Sequence, residues 1–496
     1  MGISIAGAAS PRSLEICGDD SGSSSQLSDL RRQYFAARAQ RRAFALSARI
    51  EDVLVAAADR ASDRLKRERP EFSAATLAGF SCFIPLLFTL GALLALLTAA
   101  STILLCVLTV LPSAFRILVV MSPAPRRSGL SISTTRADEE LPVYTVIAPL
   151  HREARVVDQL LSAIERLDYP AEKLDVILIV EADEPATRAA ITRRKHRIPI
   201  TVIPTPPTEP RTKPKALNIA LELARGSFVV IYDAEDRPEP NQLRCALEAF
   251  RSAGNDLACV QARLCIDTDA TWLARYFTAE YAGHFDVFLP KLAEFGLPLP
   301  LGGSSNHFRT AALRGAGGWD PYNVTEDADL GMRLARLGYR CGVIESTTFE
   351  EAPTAARRWL GQRSRWFKGW MQTLLVHMRQ PRRLFRELGP RGFTTFMLVV
   401  GGNAFVALVH PIFVVGLCWR FAFTTEGSSN AALCVISVVA GYVPSVALAW
   451  RGLCRRKVPN KLRILAWTPL HWLLLSGAAW WAAGELIFAP THWNKT

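Results

Sequence analysis

The chain has 496 residues, enough for two ordinary domains, and half of its residues are hydrophobic although 21% are charged. None of its ten cysteines forms a CxxC pair, so the sequence indicates neither a zinc site nor a disulfide framework. The formal net charge of +13 does not indicate a nucleic-acid partner. The basic residues cluster beside apolar segments, where attraction to anionic membrane lipid explains them better.

The amino-terminal part joins a basic region to a long uncharged stretch. Residues 1–71 are predicted to be a basic, partly disordered region, because a Ser- and Gly-rich stretch is followed by many arginines. Residues 72–115 carry no charged side chain, and about 20 apolar residues suffice for one bilayer-spanning helix. Residues 72–121 are therefore predicted to form two transmembrane helices, with a turn at 98–101 and a kink or helix end at Pro112.

The central residues 141–380 alternate apolar runs with segments of helical periodicity. The runs typical of buried strands are 143–148, 175–180, 200–203 and 227–231, and the helical segments between them include 156–167 and 215–224. Strands that alternate with helices indicate an α/β domain with a mostly parallel sheet. In such sheets ligands bind beyond the carboxyl ends of the strands.

Acidic residues collect where these strands end. Glu153 lies just after the first strand and Asp183 after the second, while Asp233, Glu235 and Asp236 follow the fourth. Carboxylates held this close repel one another unless a cation joins them, and Mg²⁺ or Mn²⁺ prefers such oxygen ligands together with substrate phosphates. The other interpretation of the acidic loop is a solvated turn that caps the next segment. Three strand ends with acids favour one shared ligand site over three independent caps.

Two helix starts carry further candidate residues. Lys213 precedes a helical segment, where a lysine can meet phosphate oxygens, although an exposed basic loop fits equally well. Thr325 is a suitable helix N-cap, and Glu326 and Asp327 in the first turn suit the helix dipole. The same acids could instead accept a proton from an attacking hydroxyl. Residues 302–308 form a Gly- and Ser-rich stretch that lets backbone approach a ligand closely.

The remaining segments concern the membrane. Trp359, Trp366 and Trp370 recur near helical spacing among cationic residues, which predicts a helix in the membrane interface, although arginines and rings could also line a sugar site. Residues 393–488 are predicted to form about three transmembrane or interfacial helices. The basic segment 451–457 between two of them should face the cytoplasm, which places the 141–380 domain there as well.

Taken in order, these motifs resemble the membrane-bound family 2 glycosyltransferases, the group of cellulose synthase-like inverting polysaccharide synthases. The matching elements are Asp233-Ala234-Glu235, Thr325-Glu326-Asp327 and Gln362-Arg363-Ser364-Arg365-Trp366. The resemblance implies a GT-A-type nucleotide-sugar fold and transfer with inversion from a UDP-sugar. It also leaves open whether Glu235 or Asp236 is the second acid beside the metal.

The resemblance assigns roles to individual residues. Glu153 and Asp183 would contact the nucleoside, and Asp233 and Glu235 would hold the diphosphate through Mg²⁺ or Mn²⁺. Asp327 would be the general base, with Glu326 beside it. The residues that would border the diphosphate and the acceptor are Lys213, Gln362, Arg365 and Trp366.

The expected function is that of an inverting membrane glycosyltransferase that moves a hexose from a UDP-sugar, with UDP-glucose as the expected donor, to a growing β-glycan. Two alternatives stay open: transfer of a single sugar to a membrane lipid, and a catalytically inactive scaffold or glycan receptor that retains the fold. The expected partners are the donor, a glycan or lipid acceptor and membrane lipid, but not nucleic acid. The expected location is the bacterial inner membrane, with the catalytic domain in the cytoplasm.

Overall fold

The computed structural model describes residues 55–56, 99–123, 138–423 and 429–489. The predicted basic region 1–71, apart from residues 55 and 56, and the first predicted transmembrane helix before residue 99 lie outside the described residues. The described residues from 99 onward belong to one compact unit.

An eight-stranded mixed sheet forms the centre of the domain. Its spatial order is β3-β2-β1-β4-β7-β6-β8-β5. The strands are β1 (Tyr144–Leu150), β2 (Leu174–Glu181), β3 (Ile200–Thr205), β4 (Phe228–Ile231), β5 (Arg237–Pro238), β6 (Leu257–Ile266), β7 (Asn306–Arg309) and β8 (Arg340–Glu350). The pairs β1–β2, β2–β3, β1–β4 and β6–β8 are parallel, whereas β7 runs antiparallel to both β4 and β6. The mostly parallel α/β architecture predicted from the sequence is confirmed.

Helices cover both faces of the sheet. Before and within the domain these are α1 (Ala99–Met121), α2 (Val157–Ile164), α3 (Pro185–Arg193), α4 (Lys213–Leu223), α5 (Gln242–Ser252), α6 (Trp272–Gly283), α7 (Leu289–Glu294), α8 (Thr310–Gly315) and α9 (Glu326–Arg336). After it come α10 (Ala356–His377), α11 (Pro381–Phe396), α12 (Gly402–Phe423), α13 (Ser429–Arg455), α14 (Lys461–Leu465) and α15 (Thr468–Phe488). Single π-helical turns, His284–Phe288 and Met397–Gly401, continue α6 and precede α12.

Alternation along the strands explains why the sheet is buried on both sides. Ile147 and Ile231 point into one apolar core, whereas Val146 and Val230 point into the other. Successive side chains of a strand leave the sheet on opposite faces, so a continuous apolar run fills both cores at once. This is the reason that the short runs in the sequence predict central strands correctly.

Three helical segments are long and apolar enough to cross a membrane within the described part of the chain. They are Ile103–Met121, Pro381–Trp419 and Ala432–Arg455. Large apolar side chains on these segments are exposed, among them Leu104, Leu118, Val415 and Val443. Such exposure suits lipid rather than water.

Pro112 does not end its helix, because α1 continues to Met121. The proline ring packs against Gly402 of α12, where an added Cβ would lie 2.7 Å from Pro112 Cγ. Gly402 leaves room for the proline ring between the two helices. Ser113, which follows Pro112, donates its hydroxyl to the carbonyl of Thr109 at 2.9 Å. Tertiary packing thus accommodates a residue that favours a helix end on local grounds.

The basic segment at the end of α13 binds the α/β domain. Arg456 Nε and Nη2 donate to the Asp286 carboxylate at 2.6 and 2.9 Å, and Nη2 also reaches the carbonyl of Leu264 at 2.8 Å. Close backbone packing accompanies this ion pair, because a Cβ on Gly452 would lie 2.2 Å from the carbonyl carbon of Ala282. Attraction to lipid, as predicted for these arginines, is therefore wrong for Arg456.

Trp359 is also placed differently from the prediction. It is 1% exposed, its ring packs edge-on against His471 at 5.3 Å, and the Arg363 guanidinium lies 5.2 Å from its centre. The ring is therefore buried inside the protein and not in a membrane interface. Sequence spacing revealed the helix but not which of its faces the neighbouring helix α15 covers.

A glycine turn fixes α4 against the start of α9. Gly318 has a φ of +67°, and a Cβ there would lie 2.2 Å from Asn218 Oδ1. Asn218 accepts from the Trp319 backbone N–H at 2.9 Å and donates to the Trp319 carbonyl at 2.7 Å. The turn requires glycine for its backbone conformation and for this close approach.

Replacing Gly318 with Ala should therefore lower the free energy of unfolding by about 1–3 kcal/mol, since the methyl group displaces the Asn218 amide. The measurement is the thermal unfolding midpoint of the detergent-purified protein. Gly315→Ala is the matched control, because an added Cβ there meets no atom within 4 Å. Equal midpoints for the two variants would contradict the steric argument.

Candidate active site

The carboxyl ends of the parallel strands surround one large cavity of about 590 Å³. Acids from four of these ends line it: Glu153 after β1, Glu181 at the end of β2, Asp233 and Glu235 after β4, and Glu350 at the end of β8. Residues from α9 and α10 close the cavity on another side. The sheet topology thus brings together residues that are up to two hundred positions apart in the sequence.

The loop after β4 presents two of its three acids to the cavity. Asp233 Oδ1 lies 2.5 Å from Lys213 Nζ, and Glu235 lines the same wall of the cavity. Asp236 is fully buried beneath the loop, where its Oδ2 accepts from the Asp233 backbone N–H at 2.6 Å and from the Ser304 hydroxyl. Of the two acids left open by the sequence, Glu235 is the one that lines the cavity.

Lys213 joins this loop to the Gly-rich stretch before β7. It stands in the first turn of α4, and its Nζ donates to the carbonyl of Gly303 at 2.8 Å. Burial lowers the Lys213 pKa, but the carboxylates of Asp233, Glu326 and Asp327 outweigh that effect and raise it. The lysine is therefore a fixed positive charge at the centre of an acidic wall, not an exposed loop residue.

Glu326 and Asp327 open helix α9 and face the same cavity. Asp327 Oδ1 accepts from the backbone N–H of Ala328 at 2.7 Å. Its Oδ2 lies 3.3 Å from the place where a Cβ on Gly303 would stand, so a glycine there leaves this oxygen accessible. Asp327 therefore has one oxygen held by the helix start and one directed toward the cavity.

Thr325 occupies the N-cap position of α9, but its side chain makes no capping hydrogen bond. Its methyl and hydroxyl instead pack on Gly369 of α10, where an added Cβ would lie 2.2 Å from Thr325 Oγ1. The predicted N-cap position of Thr325 is confirmed, but its side chain does not make the hydrogen bond that usually accompanies it. The threonine sets the distance between α9 and α10 by contact.

Burial and crowding raise the pKa values of four cavity carboxyls. Burial is the largest cause in each case, and neighbouring carboxylates add to it. The pKa rises to about 6 for Asp327, about 7 for Glu235 and about 8 for both Glu326 and Glu350. Acids that retain protons near neutral pH indicate a site with more negative charge than the protein itself neutralises.

Helix α10 contributes an amide, a cation and an aromatic ring to the cavity. Gln362 Oε1 is buried and has no hydrogen-bond partner within the described part of the chain. Burial lowers the pKa of the Arg365 guanidinium, and the nearby acids, among them Glu326 and Asp233, partly offset this effect. Trp366 lines the cavity and packs against Phe277, with ring centres 6.0 Å apart. A buried amide oxygen without a partner is typical of a ligand site.

Two predicted nucleoside contacts lie near the cavity entrance. Glu153 lines the cavity, and burial together with Glu184 and Asp233 raises its pKa. Asp183 is not a lining residue; its side chain is 51% exposed and pairs with Arg211 Nη1 at 2.8 Å. Arg211 itself lines the cavity, as does Glu181. Asp183 is thus placed to orient Arg211.

The donor set fits a hard divalent cation that is shared with a ligand. Within the described residues, no three Asp, Glu, His or Cys side chains form a ready-made metal cage. Mg²⁺ and Mn²⁺ are commonly held by one or two carboxylates and completed by phosphate and water. Asp233 and Glu235 supply carboxylates of this kind, and the raised pKa of Glu235 is the response expected of an acid that lacks a counter-ion.

Sequence reasoning missed several cavity residues. Glu350 ends β8 as Glu181 ends β2, so the rule that acids follow parallel strands could have found it. Glu280, Arg363 and His471 form a charged group on α6, α10 and α15, and no local signal in the sequence indicates that they meet. Arg116 of α1 also lines the cavity.

Comparison with known proteins gives a consistent family assignment. A family model described as "Glycosyl transferase family group 2" matches residues 228–483, and one described as "Glycosyl transferase family 2" matches residues 145–308. The probable glycosyltransferase YdaM of Bacillus subtilis is 27% identical over 295 residues, which are 56% of this chain and 67% of that protein.

Two further relatives match over a smaller part of their length. The beta-monoglucosyldiacylglycerol synthase of Synechocystis is 24% identical over 52% of this chain and 54% of that protein. The probable glucomannan 4-beta-mannosyltransferase 1 of Arabidopsis thaliana is 24% identical over 50% of this chain and 45% of that protein. The alignments therefore span about half the length of these two relatives.

A solved structure supports the fold. The mannosyltransferase PcManGT from Pyrobaculum calidifontis, in complex with GDP-Man and Mn²⁺, has a TM-score of 0.51 and 20% identity, and the match covers 82% of this chain and 100% of that one. The predicted GT-A-type domain is thereby confirmed.

We expect Mn²⁺ with UDP to raise the unfolding temperature at pH 8 and to lose this effect as the pH falls through about 7, where Glu235 binds a proton instead. At 100 times the Kd such a ligand stabilises by about 2.7 kcal/mol. Differential scanning fluorimetry across pH measures the shift. Asp233→Asn should abolish it, whereas the exposed Asp269→Asn should not. An unchanged shift in Asp233→Asn would remove Asp233 from the metal site.

Proposed function

The chain belongs to glycosyl transferase family group 2 and is a hexosyltransferase, and we propose that it moves a hexose with inversion from a UDP-sugar to a membrane lipid. The observation that carries the proposal is the single cavity that joins the acids at the sheet edge to the helices of the candidate membrane spans. UDP-glucose stays the proposed donor.

The donor half of the cavity supports the binding of a nucleoside diphosphate sugar. In the proposal Glu153 and the Arg211–Asp183 pair border the nucleoside, and Lys213 and Arg365 supply positive charge to the diphosphate. Asp233 and Glu235 would hold Mg²⁺ or Mn²⁺ there. The bound cation would neutralise charge that develops on the departing diphosphate.

Asp327 is the proposed general base. Its Oδ2 is accessible beside Gly303, and the Ala328 N–H keeps the carboxylate oriented. It would accept the proton of the acceptor hydroxyl as that oxygen attacks the anomeric carbon from the face opposite the diphosphate. Gln362 and Trp366 would then contact the sugar. Glu326 is buried beside Asp327, and its raised pKa of about 8 would keep it protonated and uncharged next to the ionised base.

A membrane lipid is the first proposed acceptor, because apolar residues of α13 and α15 line the cavity beyond Trp366. Leu448, Ala449 and Leu475 are examples, and a soluble glycan gains little from such a wall. The growing β-glycan expected from the sequence is the second candidate, since two relatives are named as glucomannan mannosyltransferases. Placement in a bacterial inner membrane with the domain on the cytoplasmic side is part of the proposal.

Asp327→Asn should lower the rate of UDP release by about 10²–10⁴-fold while UDP-sugar binding persists, because an amide cannot accept the proton. The wild-type rate should fall as the pH drops through about 6, where the base becomes protonated. A coupled UDP-release assay measures both. The exposed Asp269→Asn is the control, and full activity of Asp327→Asn would refute the assignment of the base.

The acceptor class is tested by the product. Membranes that contain the protein and labelled UDP-glucose should yield a labelled, organic-extractable glycolipid whose mass exceeds that of a membrane lipid by one hexose. A labelled polymer in the aqueous phase would instead select the β-glycan alternative. If no UDP is released with any of a panel of nucleotide sugars, the inactive scaffold becomes the better account.

A further inference from the structure

The cavity continues from the catalytic acids to the membrane helices through a series of contacts. Arg363 lies between the rings of Phe277 and Trp366, at 4.4 and 4.5 Å from their centres, and Nη2 donates to Glu280 Oε2 at 2.6 Å. His471 Nε2 is 3.4 Å from the same Glu280 oxygen. The Arg363 guanidinium and the Glu280 carboxylate thus form an ion pair within this middle section of the cavity.

Beyond this section the cavity reaches an arginine on a candidate membrane span. Arg116 lies in the last two turns of α1, lines the cavity and is half-buried. Its Nη2 donates to Asn403 Oδ1 of α12. Within the described residues, no carboxylate forms an ion pair with Arg116.

The neighbours of Arg116 do not balance its charge. Burial lowers the pKa of His284 to about 4 and keeps the ring neutral; Glu280 raises that pKa and Arg116 lowers it, which shows that His284 lies near both charges. Asn403, the hydrogen-bond partner of Arg116, offers only neutral polar atoms, and Ser445, Phe288 and Leu448 also line the cavity. An arginine in a span without an acidic partner is costly, and such residues are typical of functional sites.

We propose that Arg116 binds the phosphate of an anionic membrane lipid whose free hydroxyl is the acceptor. The inference rests on the proposed function and specifies its acceptor as a lipid that carries both groups, such as phosphatidylglycerol. The lipid hydroxyl oxygen forms the bond to the anomeric carbon, the bond from that carbon to the diphosphate breaks, UDP leaves with the electron pair, and the hydroxyl proton passes to Asp327.

The depth of Arg116 favours this occupant. The helix ends at Met121, so the Arg116 guanidinium lies near one end of the span and not at its middle. The headgroup phosphates of the nearer leaflet lie at that end. A guanidinium can donate two parallel hydrogen bonds to one phosphate group, which makes arginine well suited to bind phosphate. Exposed apolar side chains on the same helix, including Leu111 and Leu118, would lie beside the acyl chains.

Native mass spectrometry of the full-length protein with phosphatidylglycerol tests the binding directly, without any sugar transfer. We expect Arg116→Gln to weaken phosphatidylglycerol binding at least 10-fold and to leave binding of neutral diacylglycerol unchanged. Arg463→Gln, which removes an exposed arginine from α14, is the matched control. Equal phosphatidylglycerol affinity in wild type and Arg116→Gln would overturn the proposal, and so would full displacement of the lipid by excess inorganic phosphate.

Two further variants distinguish phosphate binding by Arg116 from a purely structural role of its hydrogen bond with Asn403, which joins α1 to α12. Asn403→Ala breaks the contact with Arg116 but retains the cation, and Arg116→Lys retains the charge. If the arginine binds phosphate, both should keep a preference for phosphatidylglycerol over diacylglycerol, even where Arg116→Gln does not fold. If Asn403→Ala loses this preference while its unfolding midpoint stays normal, a structural tie is the better explanation.

Transfer assays distinguish this inference from the proposed function. With labelled UDP-glucose, nanodiscs of phosphatidylcholine, phosphatidylglycerol and diacylglycerol should yield labelled phosphatidylglycerol, and Arg116→Gln should raise the KM for that lipid more than it lowers kcat. Labelled diacylglycerol or polymer in place of labelled phosphatidylglycerol would overturn the inference and leave hexosyl transfer intact. UDP-glucose that no acceptor consumes would refute the proposed function, whatever the lipid-binding result.

Discussion

The central constraint on the cavity is the repulsion among the carboxylates that lie together at one edge of the sheet. Asp233, Glu235 and Glu350 come from the ends of two strands, and Asp327 joins them from the start of α9. Lys213 lies between the loop after β4 and the Gly-rich stretch, with its Nζ beside both Asp233 and the Gly303 carbonyl. A protein that keeps so many acids together loses stability at neutral pH, and a bound cation would restore the charge balance.

A buried network of polar side chains lies behind the proposed base, Asp327, and holds helix α9 in place. Asp329 accepts from His377 Nε2 at 3.0 Å and from Arg333 Nε at 2.8 Å, and Arg336 reaches both His377 Nδ1 at 3.0 Å and Glu387 at 2.6 Å. These contacts connect α9, α10 and α11. Because Thr325 also packs on Gly369, the base on α9 and the Gln-x-x-Arg-Trp segment on α10 keep a constant separation. These buried hydrogen bonds link side chains of three helices, and a network of this kind makes their arrangement rigid.

Local features of the fold and the site could be predicted from the sequence, whereas contacts between residues far apart in the chain could not. Apolar runs located β1 to β4 because both faces of each strand are buried, and the acids after them followed from the carboxyl-end rule. Glu350 joins the site through the parallel pairing of β8 with β6, residues that lie some eighty positions apart, and no local pattern encodes that partner. Asp236 resembles Glu235 in the sequence, yet one loop hydrogen bond to the Asp233 N–H buries it. Trp359 and Arg456 were misjudged for the same reason, because their partners come from other helices.

The contact between Arg456 and Asp286, together with the close packing of Gly452 on Ala282, joins a candidate membrane span to the catalytic domain at two levels. A domain attached by a flexible linker would sample many heights above the bilayer, whereas this attachment fixes one. In the proposed function, the reactive carbon of a bound donor would therefore meet only those hydroxyls that project a set distance from the lipid surface. The acceptor would then be selected by its reach, independent of its chemical identity, because the span is held against the domain.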